Sequence, residues 1–184
     1  MREIEIKVRI KDSEAAEKRL REMGCVLGAP VVQHDVIYAL NGTDRIFKSS
    51  KEGDVVVRIR HLADGAELTL KQQKTGEMDN IEYETKIADA EVMDKILKKL
   101  GYQPVVEVLK RRQKGKLGAY AVCFDEVEKL GNFIELEKMT DEEADAFAVR
   151  EELFAVLEEL GCSRTDEETR GYDTQMYQLQ NRSK

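Results

Sequence analysis

Nowhere in the 184 residues do about 18 apolar side chains run together, so no segment has the length an apolar helix needs to cross a bilayer. The first ten residues, MREIEIKVRI, alternate charged and apolar side chains and lack the apolar stretch of a secretory signal. A soluble, cytoplasmic protein is expected. Only three cysteines occur, Cys25, Cys123 and Cys162, odd in number, widely spaced and without a C-x-x-C pair. They suggest buried thiols and neither a disulfide framework nor a zinc site. Missing too are G-x-x-x-x-G-K-S/T and G-x-G-x-x-G, so a P-loop or Rossmann phosphate site is not expected. Base is in deficit, 30 Lys and Arg against 37 Asp and Glu for a net charge of -7, which argues against general nucleic-acid binding. A local basic pocket stays compatible with that balance.

What the chain has in excess is charge, 36% of its residues against roughly 25% in an average soluble domain. The length suits one domain spanning 1–184, and no linker or low-complexity tract divides it. Three segments carry the helical apolar period. The first runs from Asp12 to Met23 and stops at Gly24. The second, Asp89 to Leu100, sets Met93, Ile96, Leu97 and Leu100 on one face before Gly101. The third opens on a Thr140/Glu143 capping box, continues through Phe147, Phe154, Leu157 and Leu160, and ends at Gly161. A weaker helix is expected over 167–179.

Between them, period-two stretches predict eight strands, at 2–10, 32–40, 54–61, 66–73, 80–87, 104–114, 119–127 and 132–138. Turn residues at Asn41-Gly42, Asp64-Gly65 and Gly115 to Gly118 favour antiparallel hairpins. Residues 41–54 read as a polar loop with room for one short strand. Glu3-Ile4-Glu5-Ile6-Lys7 recurs as Glu82-Tyr83-Glu84-Thr85-Lys86, each copy followed by a helix, so a duplicated strand-helix-strand unit is expected.

Successive strand residues face opposite ways, and that rule sorts the charges. Glu3, Glu5 and Lys7 oppose Ile4, Ile6 and Val8. Arg58 and Arg60 oppose Val57 and Ile59, and Lys71 with Thr69 opposes Leu68 and Leu70. Glu82 and Glu84, Lys110 and Arg112, Asp125, and Glu135 and Glu137 repeat the pattern. An open sheet with its charged face in water would produce such strands. Like charges paired at i, i+2 repel, however, and bound ions would explain the grouping. Carboxylate pairs suit Mg²⁺ or Mn²⁺, and Arg and Lys pairs suit phosphate. In a barrel of about eight strands both sets would line one lumen.

These motifs in this order resemble the CYTH superfamily, the triphosphate tunnel enzymes that include class IV adenylyl cyclases and thiamine or inorganic triphosphatases. The match takes in Glu3-x-Glu5-x-Lys7, Gln33-x-Asp35, Val57-Arg58-Ile59-Arg60, Leu68-Thr69-Leu70-Lys71, Glu82-x-Glu84, Lys110-x-Arg112, Asp125-Glu126-Val127 and Leu130-Gly131-x-Phe133-Ile134-Glu135-Leu136-Glu137. The resemblance implies an α+β fold, an eight-stranded antiparallel barrel with flanking helices. It implies Lys7, Arg58, Arg60, Lys71, Lys110 and Arg112 on the phosphates, and Glu3, Glu5, Asp125, Glu135 and Glu137 as metal ligands. Glu5, Glu135, Lys71 and Arg112 would be the catalytic residues; Glu82 and Glu84 would bind metal or orient the bases.

Gln33-x-Asp35 and the length are most similar to the cyclase branch, which implies ATP as substrate, converted to cyclic AMP and pyrophosphate, and leaves room for a homodimer; the alternatives are an inorganic or nucleoside triphosphatase, with tripolyphosphate as a substrate, and a non-catalytic polyphosphate- or nucleotide-binding module. Ile37 stands where that branch often has Tyr, and the absence of Trp disfavours the thiamine branch. His34 and His61, isolated in sequence, read as surface or structural. Tyr172 reads as a helix anchor, near a Ser-Tyr pattern of the family that is Gly171-Tyr172 here, and the acidic run 140–152 as a solvated helix start.

Overall fold

A computed structural model describes residues 2–181. Eight strands close into one antiparallel barrel: β1 (Arg2–Ile10), β2 (Val31–Leu40), β3 (Val55–Leu62), β4 (Gly65–Gly76), β5 (Asp79–Ile87), β6 (Tyr102–Leu117), β7 (Tyr120–Val127) and β8 (Gly131–Thr140). The order around the barrel is β1-β5-β4-β3-β2-β6-β7-β8, and β8 returns to β1 along nine paired positions, from Arg2 opposite Thr140 to Ile10 opposite Asn132. Five helices flank it: α1 (Ser13–Glu22), α2 (Arg45–Lys48), α3 (Ala90–Lys99), α4 (Ala146–Glu159) and α5 (Tyr172–Asn181). The α+β barrel with flanking helices is therefore as the sequence implied.

The period-two pattern turns most of the apolar residues outward, where helices cover them. Ile4, Ile6 and Val8 of β1 join Val122, Ile134 and Leu136 beneath Leu20 of α1 and Leu153, Phe154 and Leu157 of α4. Tyr38, Val57 and Ile59 pack under Leu97 of α3. The lumen receives the other face of each strand, so Lys7, Thr69 and Asp125 are among the most buried residues. A third cluster, with Ile37, Phe47, Val108, Phe133, Tyr172 and Met176, fills one end of the barrel between α2 and α5.

The two helices that follow β1 and β5 are matched in detail. Asp12 and Asp89 cap them, each accepting from the backbone N–H three residues on at 3.0 Å. Each spans ten residues, and each is closed by a glycine at positive φ, Gly24 at 88° and Gly101 at 92°. The strand order is also unchanged when every strand is exchanged with the one four places along, which is the topology a duplication produces.

Four local expectations need correction. The Thr140/Glu143 capping box does not form: β8 runs to Thr140, and α4 begins at Ala146 with Asp145 accepting from Phe147 and Ala148. Phe147 is exposed, because it falls on the first turn beyond the edge of the apolar stripe. On α3 only Leu97 of the expected face is buried, while Ile96 and Leu100 stay exposed. The loop 41–54 holds the short helix α2 and no strand, since Ile46 and Phe47 bury into the barrel end.

Candidate functional site

The lumen contains a cavity of about 370 Å³. Of the residues picked out from the sequence, Glu3, Glu5, Lys7, Arg58, Arg60, Lys71, Glu82, Glu84, Lys110, Arg112, Glu135 and Glu137 all line it. They come from six strands and meet only because the barrel closes. Asp125 does not line it. That carboxylate is fully buried behind Arg112, which donates to Oδ1 at 2.7 Å, and the Tyr172 hydroxyl donates to Oδ2 at 3.0 Å.

One wall is a paired acid–base array. Arg60 donates to both oxygens of Asp35, at 2.7 and 2.9 Å, and Lys110 Nζ stands 3.3 Å from the same carboxylate. Burial pushes the Asp35 carboxyl up, and Lys110, Arg58 and Arg60 outweigh it, holding it well below the usual range. Arg112 also donates to Glu135 and lies 3.7 Å from Glu137, while Lys7 reaches Glu135 at 3.8 Å. Burial again opposes ionisation, yet Arg112, Lys7 and Lys110 bring Glu135 down to about 2. Lys110 itself is lowered to about 8 by burial and by Arg112 and Arg60, against the pull of Asp35.

The other wall collects acids. One carboxylate oxygen from each of Glu3, Glu5 and Glu137 lies within 4.8 Å of the others. Burial, with Glu137, Glu82 and Glu5 nearby, lifts Glu3 to about 9 despite Lys71. Burial and Glu135 lift Glu5 to about 8, against Lys71 and Lys7. Lys71 pairs with Glu82; burial lowers its pKa, but Glu82 and Glu3 raise it overall. A group of hard oxygen donors, two of them raised by burial and by the acids around them, fits a divalent cation. Glu135 belongs to a neighbouring group with Cys123 and Glu137, in which the Cys123 thiol donates to Glu137 at 3.2 Å.

Arg58 joins the two walls. Its Nη2 donates to Thr69 at 2.9 Å and lies 3.5 Å from Glu84, while its buried Nε has no partner. A phosphate oxygen in the cavity would satisfy that donor. Gln33 lies outside the cavity with Oε1 unpartnered, whereas Ile37 lines it, next to Ile46 and Phe47.

Sequence reasoning missed several lining residues. Tyr172 is more than an anchor: its ring lies 4.2 Å from Lys7 Nζ and 5.1 Å from Lys110 Nζ, so it sits between two phosphate candidates. Glu77, in the β4–β5 turn, accepts from Gly171 N at 2.7 Å and straps the segment before α5 across one end of the tunnel. Ile46 and Phe47 were the only apolar pair in a polar loop, a signal that could have found them. Lys114 continues the alternation of Lys110 and Arg112 along β6, which could have found it; Glu77 and Asp173 carried no signal.

A closed eight-stranded barrel with bases and carboxylates converging in its lumen defines a polyanion tunnel. The CYTH domain family matches residues 1–172, and the chain belongs to that family. It is 34% identical over 166 residues to MJ0240 of Methanocaldococcus jannaschii, named as a candidate adenylate cyclase, covering 89% of this chain and 92% of that one. The PH1819 protein of Pyrococcus horikoshii OT3 is 27% identical with a TM-score of 0.78 over 97% of this chain and 98% of its own. HpAC1 of Hippeastrum, whose structure is described as revealing a dominant triphosphatase activity, shares the fold at 18% identity and a TM-score of 0.61, over 97% and 95% of the two chains.

Proposed function

We propose that the whole chain acts as one metal-dependent adenylyl cyclase, converting ATP to cyclic AMP and pyrophosphate in the tunnel. The observation that carries this reading is that one cavity joins two chemistries. Acids Glu3, Glu5 and Glu137 and bases Lys7, Arg58, Lys71 and Arg112 share its lining with Ile37, Ile46, Phe47 and Val56, which pack in one apolar cluster. A triphosphatase needs the charged part and an ordered water. An apolar end beside it suits a nucleoside, and Ile37 is part of that surface.

In this reading Arg58, Arg60 and Lys110 hold non-bridging phosphate oxygens, and Lys7 does so with its ammonium set over the Tyr172 ring. Lys71 and Arg112 neutralise charge that grows on the departing pyrophosphate. Glu3, Glu5 and Glu137 would hold Mg²⁺ or Mn²⁺, with Glu135 beside them; Asp125 acts by fixing Arg112. The bound ion would draw charge from the phosphates and help align them for displacement. The ribose 3′-oxygen forms a bond to the α-phosphorus while the bond from that phosphorus to the bridging oxygen breaks, and the hydroxyl proton is released. Positioning supplies most of the acceleration.

The same reading makes the protein cytoplasmic, independent of nucleic acid and membrane, and leaves room for a homodimer, which light scattering would detect. Chromatography of products after incubation with ATP and Mg²⁺ or Mn²⁺ tests the activity. Cyclic AMP with pyrophosphate is the expected outcome. ADP with phosphate, or faster cleavage of tripolyphosphate, replaces the cyclase with a triphosphatase.

A further inference from the structure

The outer surface of the barrel carries a pair of facing imidazoles, one residue along the strand from the lumen array and on the opposite face. His34 of β2, next to Asp35, lies directly opposite His61 of β3, next to Arg60. The two rings are 5.6 Å apart between centroids and inclined by 27°. On the other flank, His34 Nε2 lies 2.9 Å from Glu107 Oε2 of β6. Neither histidine lines the cavity or enters the proposed reaction.

Residues directly opposite on antiparallel strands have Cβ atoms about 4.5–5.5 Å apart. Two imidazoles at that spacing can turn onto one ion at the roughly 2.0–2.1 Å bond length of zinc–nitrogen ligation. The carboxylate behind His34 matters as much. With Glu107 accepting from Nε2–H, the neutral ring keeps its proton there and leaves Nδ1 as a lone pair, the carboxylate–histidine arrangement that orients metal-binding imidazoles. The His34 side chain is 42% exposed and that of Glu107 64%, so an ion can arrive from solvent and keep water as its remaining ligands.

We propose that His34 and His61 together hold one borderline divalent transition metal, Zn²⁺ or Cu²⁺, on the outside of the barrel, with Glu107 orienting His34. Imidazole nitrogen selects such ions over Mg²⁺, which prefers oxygen. The two sites therefore sort metals by chemistry. Excess Mg²⁺ fills the carboxylates of the lumen and leaves the histidines open.

The test adds one equivalent of Cu²⁺ to the full chain in excess Mg²⁺ and records the electron paramagnetic resonance spectrum. Wild type should show hyperfine splitting from two nitrogens. His34→Ala and His61→Ala should each lose one nitrogen and weaken Zn²⁺ binding at least about 10-fold in a competition titration, and Glu107→Gln should weaken it about 10-fold. All three changes are at surface positions, and thermal melts verify that each variant folds. An oxygen-only spectrum in wild type, or a nitrogen spectrum that persists in the His34→Ala/His61→Ala double variant, overturns the site. Neither result bears on catalysis in the lumen.

Discussion

The two walls of the tunnel solve the burial of charge in opposite ways. Around Asp35 and Glu135 every acid is met by Arg or Lys, and the carboxyls are held below their ordinary range. Around Glu3 and Glu5 acids meet acids, and the carboxyls are raised to about 9 and about 8. The first arrangement is complete within the protein. The second is complete only with a cation added, so the wall that looks worse by stability criteria is the one arranged for a metal ion.

The largest expected effect comes from breaking the complete wall. Arg112→Ala leaves Asp125 and Glu135 buried without their main partner, and removing one side of a buried pair costs about 3–5 kcal/mol. Urea denaturation should show that loss, together with loss of activity. On the acid wall the sign changes. Glu5→Gln should lose most turnover while stability holds or rises, because a neutral amide replaces a buried carboxyl that burial and Glu135 already disfavour as an anion. Melting curves with and without Mn²⁺ should separate in wild type and converge in this variant; activity that survives EDTA would remove the metal from the scheme.

Alternation along the strands made the lumen residues legible, because a one-residue step sends a side chain to the opposite face. It could not say which acids meet which bases. Asp35, Arg60 and Lys110 lie on three strands and come together through registers that alternation leaves open. The pattern also cannot tell a solvated charged face from a closed lumen, so the division into two walls appears only on closure. Helix starts were less secure. Thr140 and Glu143 have capping-box spacing, but Thr140 is already paired with Arg2 in the barrel, and Asp145 takes the cap. Residues reaching the cavity from α2 and the β4–β5 turn follow no period at all.

A smaller effect sharpens the comparison where the walls join. Arg58→Ala should weaken a nonhydrolysable ATP analogue by about 10 to 150-fold, the worth of one charge-assisted hydrogen bond at roughly 1.5–3 kcal/mol. Unchanged affinity on calorimetric titration would put the buried Nε outside the phosphate site.

A last test of the comparison is the pH dependence without metal. Acids raised in the folded state stabilise it fully below their unfolded values near 4.5, and that stability is lost as pH rises through about 8 to 9. Acids lowered in the folded state do the reverse, and Glu135 loses its contribution as pH falls toward about 2. Metal-free stability should therefore peak at about pH 4 to 5, and Mn²⁺ should flatten the decline on the alkaline side. Thermal melts across pH measure both.

β1 pairs only with β5 and β8, and β5 only with β1 and β4. Each four-strand half of the chain thus lends its first strand wholly to the other half. Neither half could close a sheet by itself, and cutting the chain between them would yield two interlocked fragments that fold only together.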